Sequence, residues 1–169
     1  EFENNWSEYM KGGNSIALNS CTAALDLALK IFDFPENKKV LVSSITFVST
    51  AHAVLYNGLV PIFVDVDKNT LQMSTEDLER KITDDCVAVM PVHYGGHPCD
   101  MEAILEIAKK NNLKVIEDCA NTAGGEINGH KLGSLGDIGC FSFEEKKNMT
   151  TGDGGMLFTK DKALAEKAR

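Results

Sequence analysis

Three consecutive stretches decide the fold of this 169-residue chain: Cys86-Val-Ala-Val-Met-Pro-Val92, Met101-Glu-Ala-Ile-Leu-Glu-Ile-Ala-Lys-Lys110 and Leu113-Lys-Val-Ile-Glu117. The first and third are short and almost continuously apolar, as strands buried on both faces are. The middle one repeats its apolar residues at helical spacing. Asp100 stands where it can cap that helix, and Asn111-Asn112 ends it. Strand, helix, strand at this spacing is the unit from which parallel sheets are built.

The same alternation runs outward in both directions. Toward the N-terminus, Ser15–Leu18 is a short apolar run and Thr22–Phe32 has a broad apolar helical face. Val40–Val42 reads as a strand, and Phe47–Tyr56 as a helix stopped by Asn57-Gly58. Val60–Val66 reads as a strand. Ser74 caps a helix over Glu76–Ile82, with Asp77 in the capping-box position. Toward the C-terminus, Ile127-Asn-Gly-His130 is a hairpin turn. Ile138–Phe143 and Met156–Thr159 are further strands, and Asp161 caps a helix over Lys162–Arg169. The opening Glu1–Trp6 is mostly polar and receives no element. The sequence stops inside the last helical pattern, so it is expected to be a piece of a longer protein. The expected architecture is α/β: three layers, a mainly parallel central sheet, helices on both faces. Such sheets bind ligands at the carboxyl ends of their strands.

Composition narrows the function. Apolar residues make up 43% and charged residues 25%, which is globular composition. Lys+Arg is 17 against 25 Asp+Glu, a net charge of −8. This argues against nucleic acid or an anionic membrane as a generic partner. No apolar run reaches the roughly 18 residues of a membrane helix, and a cytoplasmic setting is expected. The five cysteines are an odd number in apolar or small-residue surroundings. They read as buried free thiols rather than a disulfide framework.

Several motifs carry two readings. Gly133, Gly136 and Gly139 miss the dinucleotide fingerprint, and Gly124 to Lys131 misses the P-loop. Cys86, His93, His97 and Cys99 contain no CxxC pair, and no metal site is expected. The turn Asn19-Ser20-Cys21-Thr22-Ala23-Ala24 leads from a strand into a helix. Its N–H groups suit a phosphate, or Ser20 or Thr22 is a plain N-cap. Glu117 and Asp118 end a strand and face opposite ways, so only one can enter a given crevice. Either could equally be a cap or a surface carboxylate. Lys147 follows the strand Cys140-Phe-Ser-Phe143 and precedes a glycine-rich turn. It is either a solvated charge or a reactive amine. Ser142, between two phenylalanines, faces away from them as a core hydroxyl or a ligand contact.

Taken in order, these segments resemble the DegT/DnrJ/EryC1/StrS family of sugar aminotransferases, which use pyridoxal 5'-phosphate (PLP) and have the type I aminotransferase fold. The resemblance rests on Ser20-Cys-Thr-Ala-Ala-Leu25, Ile45-Thr-Phe-Val-Ser-Thr50, Pro61-Ile-Phe-Val-Asp-Val66 and Pro91-Val-His-Tyr-Gly95. It continues through Val115-Ile-Glu-Asp-Cys-Ala120, Gly133-Ser-Leu-Gly-Asp137, Phe141-Ser-Phe143 with Lys147-Asn148, and Gly152-Asp-Gly-Gly155.

The resemblance implies that residues 1–169 are the PLP-binding large domain, without the N-terminal segment and the small domain. Lys147, not Lys146, would form the Schiff base, and Asp118 would pair with the pyridine nitrogen. Phe47 would stack on the ring, while Cys21, Thr22 and Ser142 would hold the phosphate. Asn121 stands where the family has glutamine, a shorter amide with less reach toward the phenolic oxygen. The implied reaction moves an amino group, typically from glutamate, to a nucleotide-linked keto-sugar. Some relatives carry histidine in place of this lysine and deoxygenate the sugar; Lys147 points to amino transfer. The partners implied are the nucleotide sugar, the amino-acid donor and a second copy in a homodimer. The alternative is a truncated, non-catalytic PLP-binding or interaction module of the same fold.

Overall fold

The computed structural model describes all residues from Glu1 to Arg169. Its centre is a seven-stranded sheet built from β1 (Asn14–Leu18), β2 (Lys39–Ser43), β3 (Val60–Val64), β4 (Cys86–Met90), β5 (Lys114–Cys119), β8 (Ile138–Ser142) and β9 (Gly155–Thr159). A separate hairpin of β6 (Glu126–Ile127) and β7 (His130–Lys131) lies between β5 and β8 in the chain. The order across the sheet is β1-β9-β8-β5-β4-β2-β3. The five strands from β8 to β3 are parallel, while β9 runs antiparallel to both β8 and β1. The central strands are buried along their length because helices cover both faces.

One face carries α2 (Cys21–Phe32), α3 (Ser49–Tyr56) and α6 (Lys162–Ala168). Leu25, Ala28 and Leu29 of α2 pack there with Val40, Val42, Met90, Ile116, Ile138 and Leu157. The opposite face carries α4 (Thr75–Lys81) and α5 (Met101–Lys110), with Leu78, Ile104 and Ile107 against Leu41, Val64, Val89 and Val115. Burying these faces removes the apolar side chains from water, the main favourable contribution to folding. The expected three-layer, mainly parallel architecture is present. No helix is long and apolar enough to cross a membrane.

Local chemistry fixes the helix starts. Ser20, Ser74, Asp100 and Asp161 each accept a backbone N–H at a helix N-terminus. Asp77 departs from the capping-box expectation. Its Oδ2 takes the Asp65 N–H at 2.7 Å, tying α4 to the end of β3. The hairpin turn is as expected: Asn128 and Gly129 both have positive φ, the backbone that a two-residue turn requires.

The opening segment differs from its sequence reading. Phe2–Tyr9 is a helix, α1, and Trp6 is buried. Its indole stands edge-on to Phe141 and Phe143 at 5.1 and 5.0 Å between ring centroids. The polar composition hid an apolar stripe of Phe2, Trp6 and Met10 at four-residue spacing. That stripe covers the β8–β9 end of the sheet on the α5 side, where Phe158 and Met156 also pack.

Candidate functional site

At the carboxyl ends of β8, β5, β4 and β2 lies a cavity of about 630 Å³. That is the size range of small-molecule sites. Every site residue expected from the sequence lines it: Cys21, Thr22, Phe47, Asp118, Asn121, Ser142 and Lys147. Alternation along strands explains part of this convergence. Ser142 faces the cavity because Phe141 and Phe143 face α1, and Asp118 faces it because Glu117 points to the opposite side.

The N-terminus of α2 forms one wall. Ser20 Oγ accepts the Ala23 N–H at 3.1 Å, so Ser20 rather than Thr22 is the N-cap. Thr22 Oγ1 is 2.7 Å from Ser49 Oγ. A Cβ on Gly155 would lie 2.2 Å from the Ser20 carbonyl carbon and 2.6 Å from the Cys21 nitrogen. Only glycine lets the helix end settle this close to the sheet, beside Ser142. The first-turn N–H groups and the helix dipole suit an anion there.

The floor is Asp118, 3% exposed. Its Oδ2 accepts from Thr50 Oγ1 at 2.8 Å and its Oδ1 from the Ala120 N–H at 3.1 Å. Burial pushes the Asp118 carboxyl above its ordinary value, opposed by these two hydrogen bonds and by the Lys147 charge. Each oxygen retains a lone pair for a cationic or N–H partner in the cavity. Lys147 is half-buried, and its Nζ donates to Asn121 Oδ1 at 3.3 Å. Lys146 also lines the cavity but is exposed, with its backbone N–H on Glu144 Oε2. Phe47 lies outside α3, one residue before its cap, and is 74% exposed. A large aromatic side chain left that open at a cavity is suited to meet a flat apolar ring.

Behind the site, Glu117 is completely buried and has no access to the cavity. Its Oε2 accepts the Gly133 N–H at 2.8 Å, and its Oε1 accepts from Leu135 at 2.8 Å and Gly136 at 2.7 Å. His93 Nε2 lies 3.0 Å from Oε2, and His93 Nδ1 accepts the Cys99 N–H at 3.1 Å. The carboxylate favours a second proton on the ring, while the Cys99 amide opposes it by occupying Nδ1. Gly133, Gly136 and Gly139 thus serve a tight loop: a Cβ on Gly139 would lie 2.2 Å from the Gly133 carbonyl oxygen. Their spacing is structural rather than a nucleotide motif.

The candidate zinc set is not brought together. Cys86 begins β4 at the end away from the cavity, and His97 is exposed. The atoms of His93, Glu117 and Cys119 lie within 4.8 Å of one another. The histidine and carboxylate are occupied by the loop clamp, and burial pushes the Cys119 thiol up to about 11. All five cysteines are buried and unpaired.

Sequence reasoning missed Thr46, Ser49 and Thr50. The signal was two adjacent hydroxyls, Ser49 and Thr50, inside the otherwise apolar opening of α3. It also missed Tyr94, which lines the cavity, with its N–H and carbonyl both held by the Gln72 amide at 3.1 Å.

This arrangement has counterparts among known proteins. The chain belongs to the DegT/DnrJ/EryC1/StrS aminotransferase family, whose model matches residues 1–169. It is 45% identical over 167 residues to GDP-perosamine synthase of Escherichia coli O157:H7, covering 99% of this chain and 46% of that protein. It is 46% identical over 157 residues to UDP-N-acetyl-3-dehydro-alpha-D-glucosamine 3-aminotransferase of Acidithiobacillus ferrooxidans, covering 92% of this chain and 42% of that protein. Among solved structures, an aminotransferase from Psychrobacter cryohalolentis superposes with a TM-score of 0.96 at 39% identity, covering 99% of this chain and 42% of that one. The chain spans less than half the length of these relatives.

Proposed function

We propose that residues 1–169 are the cofactor-binding large domain of a PLP-dependent aminotransferase acting on a nucleotide-linked keto-sugar. One observation carries the reading: Lys147, Asp118, the open Phe47 ring and the α2 N-terminus converge on a single cavity. The residues fit the cofactor group by group. Gly155 leaves room for the α2 end to come down as a phosphate cradle, with Thr22 and Ser142 beside it. Phe47 offers a face to the pyridine ring, and Asp118 offers a carboxylate to its nitrogen. When bound, pyridoxal phosphate supplies an electron sink for the carbon that loses or gains a proton.

The chain's own residues supply the rest. A positive charge on the ring nitrogen offsets the cost of ionising buried Asp118, and the carboxylate in turn keeps that nitrogen protonated. The Lys147 amine is the attachment point. With the cofactor bound, the free amine would be the group that carries a proton at the reacting carbon. Asn121 holds that amine in place by its Oδ1.

The relatives named for GDP- and UDP-linked sugars support the substrate class. Glutamate is proposed as donor and a second copy of the chain as partner. Phe47, Val48, Leu55 and Tyr56 leave an exposed apolar strip beside the cavity, which suits self-association. A cytoplasmic setting, which keeps five free thiols reduced, goes with this reading.

Titration with PLP, following the visible absorption of lysine-linked cofactor, tests it. Lys147→Ala should remove the band and Lys146→Ala should leave it. A band that survives Lys147→Ala would contradict the reading.

A further inference from the structure

Thr50 is completely buried, and its hydroxyl has two hydroxyl or carboxylate neighbours. Oγ1 lies 2.8 Å from Asp118 Oδ2 and 2.6 Å from Thr46 Oγ1. Two acceptors compete for its single proton, Asp118 Oδ2 at 2.8 Å and the Phe47 carbonyl at 3.2 Å; the ionised carboxylate, nearer and charged, takes it, and Thr50 accepts from Thr46. The result is a directed chain, Thr46 to Thr50 to Asp118, running from the half-buried loop after β2 to the cavity floor. We propose that Thr50 is a positioning residue for Asp118, holding Oδ2 so that the carboxyl stays charged and fixed in orientation toward the cavity. Thr46 acts one step further back by orienting the Thr50 hydroxyl. The proposal deepens the cofactor reading and rests on it only for what Asp118 faces.

The surroundings of Asp118 make this bond consequential. The ionisable groups facing it are Lys147 after β8, the Cys21 thiol on α2 and the Cys140 thiol on β8, while His93, after β4, sits on Glu117 behind it. Cys119 and Glu117 flank it on β5. The Lys147 charge favours the charged carboxyl, and burial disfavours it. Substitution at Thr50 removes none of these groups, so a changed titration reports the lost hydroxyl.

The test is a carbon-13 NMR titration of the Asp118 carboxyl in this chain, paired with the dissociation constant for PLP. Thr50→Val keeps the shape and deletes the hydroxyl. It should raise the Asp118 midpoint by about one pH unit and weaken PLP binding about tenfold, the scale of one hydrogen bond to a charged group. Thr50→Ser should restore both. Thr46→Val, at a half-buried position, should shift the midpoint the same way by less, and it carries the test if Thr50→Val does not fold. An unchanged midpoint in Thr50→Val, or in Thr46→Val where that variant carries the test, overturns the proposal. So does a Thr50→Ser variant that behaves like the valine. If wild type fails to bind PLP but the midpoint still shifts, the cofactor reading fails and the hold on Asp118 stands.

Discussion

Replacing Gly155 by alanine tests how the proposed anion-binding wall is built. The added Cβ would sit 2.2 Å from the Ser20 carbonyl carbon, 2.3 Å from its oxygen and 2.6 Å from the Cys21 nitrogen. All three are backbone atoms, so no side-chain rotation relieves the clash. Regaining an ordinary 3.4 Å contact from 2.2 Å requires about 1.2 Å of movement. Either α2 lifts from the sheet or β9 shifts against β8 and β1. Overpacking of this kind costs about 2 kcal/mol, which lowers the melting temperature of a chain this size by roughly 4–8 °C. The same displacement moves the Cys21 and Thr22 N–H groups off the proposed phosphate position. Misplacement of about 1 Å costs preorganised sites on the order of tenfold to a hundredfold. The assay is thermal unfolding by circular dichroism beside PLP titration. Wild-type melting and wild-type affinity would together refute the reasoning. A lowered melting temperature with unchanged affinity would keep the packing account and remove the α2 terminus from the phosphate site.

Two further outcomes follow from the carboxylates of β5. Glu117→Gln puts an NH₂ group where one carboxylate oxygen now accepts, leaving at least one loop N–H without an acceptor. A denaturant titration should show a loss of about 2–3 kcal/mol, with the cavity residues themselves unaltered. Asp118→Asn acts in the opposite sense on stability. Burial raises the folded-state value of Asp118, so its contribution to stability is fully present below the unfolded value of 3.8 and is lost as pH rises through the folded value. The asparagine variant should therefore be at least as stable as wild type at neutral pH and should lose that pH dependence, while binding PLP more weakly. An asparagine variant clearly less stable at neutral pH would contradict the burial argument.

The sheet was legible because its strands are buried on both faces and so read as unbroken apolar runs, Cys86–Val92 being the clearest. The antiparallel placement of β9 was not legible, since a buried strand looks the same in either direction. The helix over Phe2–Tyr9 was missed because its stripe is only three residues wide in polar surroundings, and its fit depends on Phe141 and Phe143 far along the chain. At the site, alternation alone separated Ser142 from its phenylalanine neighbours and Asp118 from Glu117. Alternation could not say which carboxylate entered the cavity. That followed from the glycine loop at 133–136, which folds back and saturates Glu117. Thr50 escaped notice because a buried threonine in a helix declares nothing until its partner, 68 residues away, is known.

The central claim is that Lys147 is the amine this cavity presents to its cofactor. Borohydride reduction of the chain with PLP, followed by digestion and mass mapping, tests it most directly, with circular dichroism to establish that the chain is folded. The account predicts one added mass, on Lys147, lost in Lys147→Ala and kept in Lys146→Ala. An adduct on exposed Lys146, or scattered over surface lysines of a folded chain, would contradict it.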